Sequence, residues 1–306
     1  MCMEVLTIIV EQLLQMFIVV LFGFMLAKKG ILNGATQEEI AQMLTRFIVP
    51  LTLILAFQQP FDREQLIGLG WAFIGALLIF LTRILWARYG FRGADKIDRY
   101  ATIFSNSVFV GIPIIFPILG YEGILYLSMY LIVSGTLQYT YGIWSLSEGK
   151  EKITLKSAVT NPGILGTATG LTLYLFQIQL PEVVFNSLDT IAGLSSPLGI
   201  ILLGGYLARS NFKEVFFTWR NYWVITQRLI ITPILGFLVL WLLPIDNPTI
   251  ILTLAIVNCT PTAVNTAVFS QIFGGDYEYG ARLVILSSIF SMLTMPFLIA
   301  AATAIF

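Results

Sequence analysis

Apolar residues gather along this chain in windows of about twenty, the length an α-helix needs to cross the hydrocarbon core of a bilayer. Windows near 7–29, 38–58, 65–88, 98–118, 122–145, 158–179, 183–207, 215–242, 248–273 and 279–304 predict ten transmembrane helices. Together they use most of the chain and leave no room for a soluble domain, so function is expected within or between the helices.

Two windows are interrupted by polar residues and prolines. "FSNSVFVGIPIIFP", from Phe104 to Pro117, puts Asn106, Gly111, Pro113 and Pro117 into the fourth. "VNCTPTAVNTAVFSQ", from Val257 to Gln271, puts Asn258, Thr260, Pro261, Thr262, Asn265 and Thr266 into the ninth. A proline removes a backbone N–H and clashes with the carbonyl four residues earlier, and lipid supplies no replacement partner. The fourth helix is therefore expected to break near Pro113 and the ninth near Pro261, inside protein or beside water. If the breaks cross at the midplane, half-helix N-termini point inward and favour an anion. The candidate substrate-binding residues are Asn106, Pro113, Pro261 and Asn265, with Asn258 and Thr262 beside them. The plainer alternative is that both prolines merely kink ordinary helices.

Composition narrows the function. The chain is 57% hydrophobic and 11% charged, with mean hydropathy +0.86, against roughly 25% charged in an ordinary soluble domain. An all-α polytopic membrane protein is the expected class. It holds no histidine, which removes Ser-His and Cys-His catalysis and histidine metal sites, and no pair of carboxylates stands at the breaks. Cys2 and Cys259 are too few and too far apart for a zinc cluster. The formal net charge of zero, without a basic run, gives nothing for nucleic acid. The first window carries Glu4 and Glu11 and ends in "AKKG", and it reads as a mature helix, not a signal peptide.

Lysine and arginine sort unevenly between the loops. Lys28, Lys29, Arg88, Arg92, Lys96, Arg99, Lys150, Lys152, Lys156, Arg209, Lys213, Arg220 and Arg282 fall on one side, and Arg63 alone on the other. By the positive-inside rule the first side is cytoplasmic, and both termini are expected outside. Arg46, Arg83 and Arg228 fall within windows, near their cytoplasmic ends, and are expected to snorkel to the interface. Glu11 and Asp189 lie toward outer ends as interfacial carboxylates.

The halves echo each other. "PLTLIL" from Pro50 matches "PLGIIL" from Pro197, the Pro113 and Pro117 pair matches Pro261 and Asn265, and "GYEG" (120–123) matches "GDYEYG" (275–280). Five helices per half would turn the second upside down, an inverted repeat of the kind many secondary transporters use. The expected division is residues 1–145, a cytoplasmic linker 146–157, and residues 158–306.

"NSVFVGIPI" (106–114), "NPGILGTATGL" (161–171) and "TPTAVNTAVF" (260–269), set in this frame, resemble the auxin efflux carrier family, which includes plant PIN-type exporters and bacterial malate and malonate permeases. The resemblance implies an NhaA-like or bile-acid-symporter-like fold. In it the first, second, sixth and seventh helices form a scaffold, the rest a mobile domain with crossed fourth and ninth helices, and two copies dimerise through the scaffold. It also implies a plasma-membrane carrier of a small organic anion such as malate, malonate or an auxin-like acid. The chain lacks the long cytoplasmic loop of the larger plant exporters.

Asn161-Pro162 reads as a helix start, asparagine capping and proline filling the first turn. No acidic residue stands at either break, which argues against a proton relay there and leaves sodium coordination by carbonyl, Asn, Ser and Thr oxygens open. No cofactor is expected beyond a coupling ion, sodium or a proton, the latter with Glu11 or Asp189 as its carrier. The leading expectation is a secondary carrier working by alternating access. The alternative is a channel or receptor for the same ligands.

Overall fold

The computed structural model of the protein describes residues 2–150, 160–209, 212–273 and 276–306. Residues 151–157 of the expected linker and Gly275 of the second loop echo lie outside the described residues. The described chain folds into α1 (Cys2–Lys28), α2 (Gly34–Ala56), α3 (Arg63–Gly90), α4 (Lys96–Ile103), α5 (Ser107–Leu146), α6 (Pro162–Leu175), α7 (Glu182–Arg209), α8 (Phe212–Phe217), α9 (Trp219–Leu242), α10 (Pro248–Cys259), α11 (Asn265–Ile272) and α12 (Tyr277–Ile305). Gly120, at φ 60° and ψ −151°, bends α5 sharply into two arms. Among the described residues, α2, α3, α5, α7, α9 and Glu278–Ile305 of α12 are long and apolar enough to cross a membrane, and Leu14–Lys28 and α10 are shorter apolar helices. The protein is thus a polytopic helical membrane protein.

Helices in lipid gain little from burying apolar surface against one another, so close approach of backbones has to hold them together. Two helix pairs show this. α1 lies along α7, and α2 along α6. A Cβ added to Gly204 would stand 2.0 Å from the Val20 carbonyl oxygen, and one on Gly23 would stand 2.2 Å from that of Ile201. At the second pair, a Cβ on Gly166 would lie 2.7 Å from Pro50 Cα, and one on Gly170 would lie 3.1 Å from Ile54 Cα. Gly166 and Gly170 of "NPGILGTATGL" therefore serve packing. Gly204→Ala is expected to push α1 from α7 and cost about 1–3 kcal/mol, the usual range for overpacking, seen as a lower melting temperature in detergent.

The remaining long helices pack around α5 and α10. Ala72, Ala76, Ile79, Ile114, Ile124, Leu125, Leu254, Ile256 and Leu286 are all at most 1% exposed there.

Of the two breaks expected at prolines, the fold shows the one at Pro261 and not the one at Pro113. Wide π-type turns at 44–48, 107–111 and 227–231 are each followed two residues later by a proline: Pro50, Pro113 and Pro233. Each proline ring would strike the carbonyl four residues back, which in every case lies inside the wide turn, where the enlarged ring moves it aside. Pro113 is thereby absorbed into a continuous helix. The fourth predicted helix breaks earlier, at 104–106, where Phe104 turns extended. The ninth breaks as expected beside Pro261, over 260–264.

Candidate functional site at the crossing of two broken helices

The two breaks meet. Asn106 N–H donates to the Pro261 carbonyl at 2.7 Å and Ala263 N–H to the Phe104 carbonyl at 3.0 Å, forming an antiparallel bridge between Ser105 and Thr262. Pro261 consequently sits opposite Asn106.

A helix that stops inside a membrane leaves its last carbonyls without partners. Here side chains meet several of them. At the end of α4, the Ala101 carbonyl accepts from Thr262 Oγ1 at 3.1 Å, and the Ile103 carbonyl from Arg83 at 3.2 Å. At the end of α10, the Asn258 carbonyl accepts from Arg83 at 3.2 Å and Arg228 at 2.9 Å, and the Thr260 carbonyl from Arg228 at 3.0 and 2.7 Å. Val257 is served by Thr260 Oγ1 at 2.7 Å.

Arg83 and Arg228 therefore do not snorkel. Both are 0% exposed, and among the described residues neither has a carboxylate partner. Their charges face the negative ends of two half-helices, where the peptide dipoles favour a cation. Arg83 also reaches Asn258 Oδ1 at 2.6 Å and Tyr130 Oη at 2.7 Å, and lies over the Phe80 ring at 5.0 Å. One signal of this was present in the sequence: two in-span arginines without an acidic neighbour must find acceptors, and broken helices provide carbonyls.

Beside the bridge opens a cavity of about 1040 Å³. Ser105, Asn106 and Ser107 form part of its wall, with Val264 and Asn265 from the second break, Ser134 and Gln138 from α5, and Asn161 at the start of α6. Asn106 is 4% exposed. Its Oδ1 accepts from Phe109 N–H at 3.2 Å and so starts the α5 helix, while its Nδ2 is buried without a partner. Asn265 Nδ2 donates to Gln138 Oε1 at 2.9 Å, and Gln138 Nε2 to Ser134 Oγ at 3.0 Å. Asn161 caps α6 through Gly163 N–H at 2.9 Å, as the sequence indicates, and also faces the cavity.

Of the six candidate residues, Asn106 and Asn265 come together on this wall. Pro113, Pro261, Asn258 and Thr262 lie behind it. Asn258 is fully occupied by Arg83 and by the Pro233 carbonyl at 2.9 Å, and Gly236 makes room for it, since a Cβ there would lie 2.3 Å from Asn258 Nδ2. Thr262 is committed to Ala101 and, through its N–H, to Ser287 Oγ at 3.1 Å. Gln138, Ser134 and the serines of the first break were not singled out by sequence, because isolated polar residues in a span carry no periodic signal.

The cavity reaches Glu38, Arg209, Glu214, Glu278 and Arg282, where Arg282 pairs with Glu214 at 2.9 Å. Arg46 is exposed on its wall. Twenty residues up α7 from Arg209, about 30 Å of helix, the Tyr121 hydroxyl donates to the Asp189 carboxylate. The Tyr121 ring also packs on Phe116 and Phe185, at 5.0 and 6.3 Å between centroids. This cluster ties α5 to α7 at the end remote from the cavity mouth.

A family model described as membrane transport protein matches residues 8–156 and 150–299. No curated protein matches the chain. With matches spanning almost its whole length, the chain belongs to the membrane transport protein family of auxin efflux carriers and their PIN-like relatives.

Proposed function

We propose that this protein is a secondary carrier of a small organic anion, bound in the crossing cavity and exposed to each side of the membrane in turn. The observation that carries this reading is that Asn106, a residue of the cavity wall, holds a buried Nδ2 without a partner. A buried donor costs free energy until an acceptor meets it, and a carboxylate oxygen is such an acceptor. The α5 and α11 N-termini beside it carry partial positive charge, and Arg83 and Arg228 add fixed charge behind. The same field disfavours a sodium ion at the crossing.

In this reading the ten windows all span, as two inverted repeats whose broken helices cross. α1, α2, α6 and α7 form the scaffold, through which two copies pair, and the termini lie outside. The cavity mouth, with Arg209 and Arg282, faces the cytoplasm by the positive-inside rule, and the Tyr121–Asp189 contact closes the outer side. Tyr121→Phe removes that hydrogen bond and is expected to raise labelling of a cysteine introduced at Val264, in a Cys2→Ser background, by an impermeant reagent applied from outside. Unchanged labelling would remove Tyr121 from the gate.

The experiment is exchange of labelled malate, malonate and indole-3-acetate in proteoliposomes, with and without sodium and pH gradients. Saturable, slow exchange supports the carrier. Conductance at channel rates favours the channel reading, and binding without flux the receptor.

A further inference from the structure

We infer that the Ser107 hydroxyl is a further ligand to the bound anion, its proton turned toward the cavity by Arg83 acting through Tyr130 and Ser105. The inference rests on the anion reading of the crossing site and specifies which groups there recognise charge.

Four side chains from three elements form one line. Arg83 Nη1 lies 2.7 Å from Tyr130 Oη, Tyr130 Oη 2.7 Å from Ser105 Oγ, and Ser105 Oγ 3.1 Å from Ser107 Oγ. Arg83 and Tyr130 are 0% exposed, and Ser105 and Ser107, on the cavity wall, are 3% exposed, so water does not reach the inner end of the line and does not set the hydroxyl directions from there. The arginine does. A guanidinium has donors only, so Tyr130 must accept from it. The phenol proton has one remaining partner, Ser105 Oγ. Ser105, accepting there, gives its own proton to Ser107 Oγ. Ser107 is left with a proton whose one internal acceptor is the Ser105 carbonyl at 3.4 Å, a long and weak contact. Both serines belong to the cavity wall, and the line ends there in a donor.

A donor at this place, one residue along the wall from Asn106 with its unpartnered Nδ2, distinguishes a carboxylate from its amide. A carboxylate oxygen accepts from both groups. A carboxamide can offer one oxygen, and its NH₂ group meets donors. Tyr130 and Ser105 are positioning residues in this scheme, while Ser107 touches the substrate.

The test is a binding titration of purified protein with whichever of malonate, malate and indole-3-acetate binds most tightly, against the corresponding amide. It uses the wild type and Ser107→Ala, Ser107→Thr, Tyr130→Phe and Asn106→Asp variants, with the melting temperature of each recorded. Ser107→Ala and Tyr130→Phe are expected to weaken acid binding about five- to tenfold, the usual effect of one lost hydrogen bond to a charged group, and to leave the amide unchanged. Ser107→Thr keeps the hydroxyl and should bind as the wild type does. Acid-over-amide preference intact in both Ser107→Ala and Tyr130→Phe overturns the inference, even where Tyr130→Phe lowers the melting temperature. If Asn106→Asp abolishes acid binding in that same experiment, the anion site itself stands. If no acid binds the wild type, or Asn106→Asp binds it normally, the site reading falls and the Ser107 role with it.

Discussion

Asn106→Asp is expected to abolish binding of the transported acid while leaving the fold intact. The two side chains are nearly isosteric, and an aspartate Oδ1 still accepts from Phe109 N–H, so the start of α5 survives. What changes is the second terminal atom. The partnerless Nδ2 becomes an oxygen of a carboxylate, which replaces a donor by a negative charge facing the substrate's own. Loss of the donor alone, as in Asn106→Ala, costs about 1–3 kcal/mol. Adding like-charge repulsion in a partly desolvated cavity should take the affinity down more than a hundredfold. Equilibrium binding checks the first part and the melting temperature the second. Normal binding by Asn106→Asp would place the anion elsewhere, with the exposed Arg46 on the same wall the next residue to test.

The largest expected effect on stability belongs to Arg228→Met. Methionine matches the stem but brings no donor, so the Thr260 carbonyl, which takes two bonds from Arg228, is left buried and unmet, and the Asn258 carbonyl keeps Arg83 alone. Each orphaned group costs about 1–3 kcal/mol, and none can turn to lipid. A marked fall in the melting temperature in detergent is the expected result. Arg228→Lys should recover only part of it, because one ammonium cannot reproduce the fork that serves Thr260 and Asn258 together. Arg83→Lys should be damaging for the same reason, whereas a snorkelling arginine would have tolerated lysine. An Arg228→Met protein as stable as the wild type would show that the half-helix ends find other partners.

The helical frame was legible because hydropathy is a property of windows: the helices long and apolar enough to cross a membrane among the described residues, α2, α3, α5, α7, α9 and most of α12, all lie over predicted windows, two of which share α5. The break at Pro261 was legible for a local reason: a proline flanked by Thr260 and Thr262 leaves backbone groups that only protein can satisfy. The first break was misplaced because the rule that a proline ends a helix has an exception, the wide turn that absorbs Pro113. Nothing in "FSN" at 104–106 announces an extended stretch except the capping tendency of Asn106. The arginines were misread because a hydropathy window treats any charge as a group seeking water. Their acceptors are carbonyls 20 to 175 residues away in sequence, and those carbonyls are free only because two helices break at one place. The place of Asn258 was hidden for the same reason. Its amide holds Arg83, a role visible only once both are in three dimensions.

The central claim, that the anion occupies the cavity between the two breaks, is tested most directly by substrate protection of a single cysteine on its wall. Val264→Cys in a Cys2→Ser background supplies it, since Val264 is half-buried on that wall and Cys259 is 0% exposed. Inside-out vesicles are treated with an impermeant maleimide, with and without a saturating concentration of the exchanged acid. Occupancy of the crossing predicts alkylation slowed several-fold by the acid and unaffected by its amide. An unchanged alkylation rate in vesicles that still exchange the acid would contradict it.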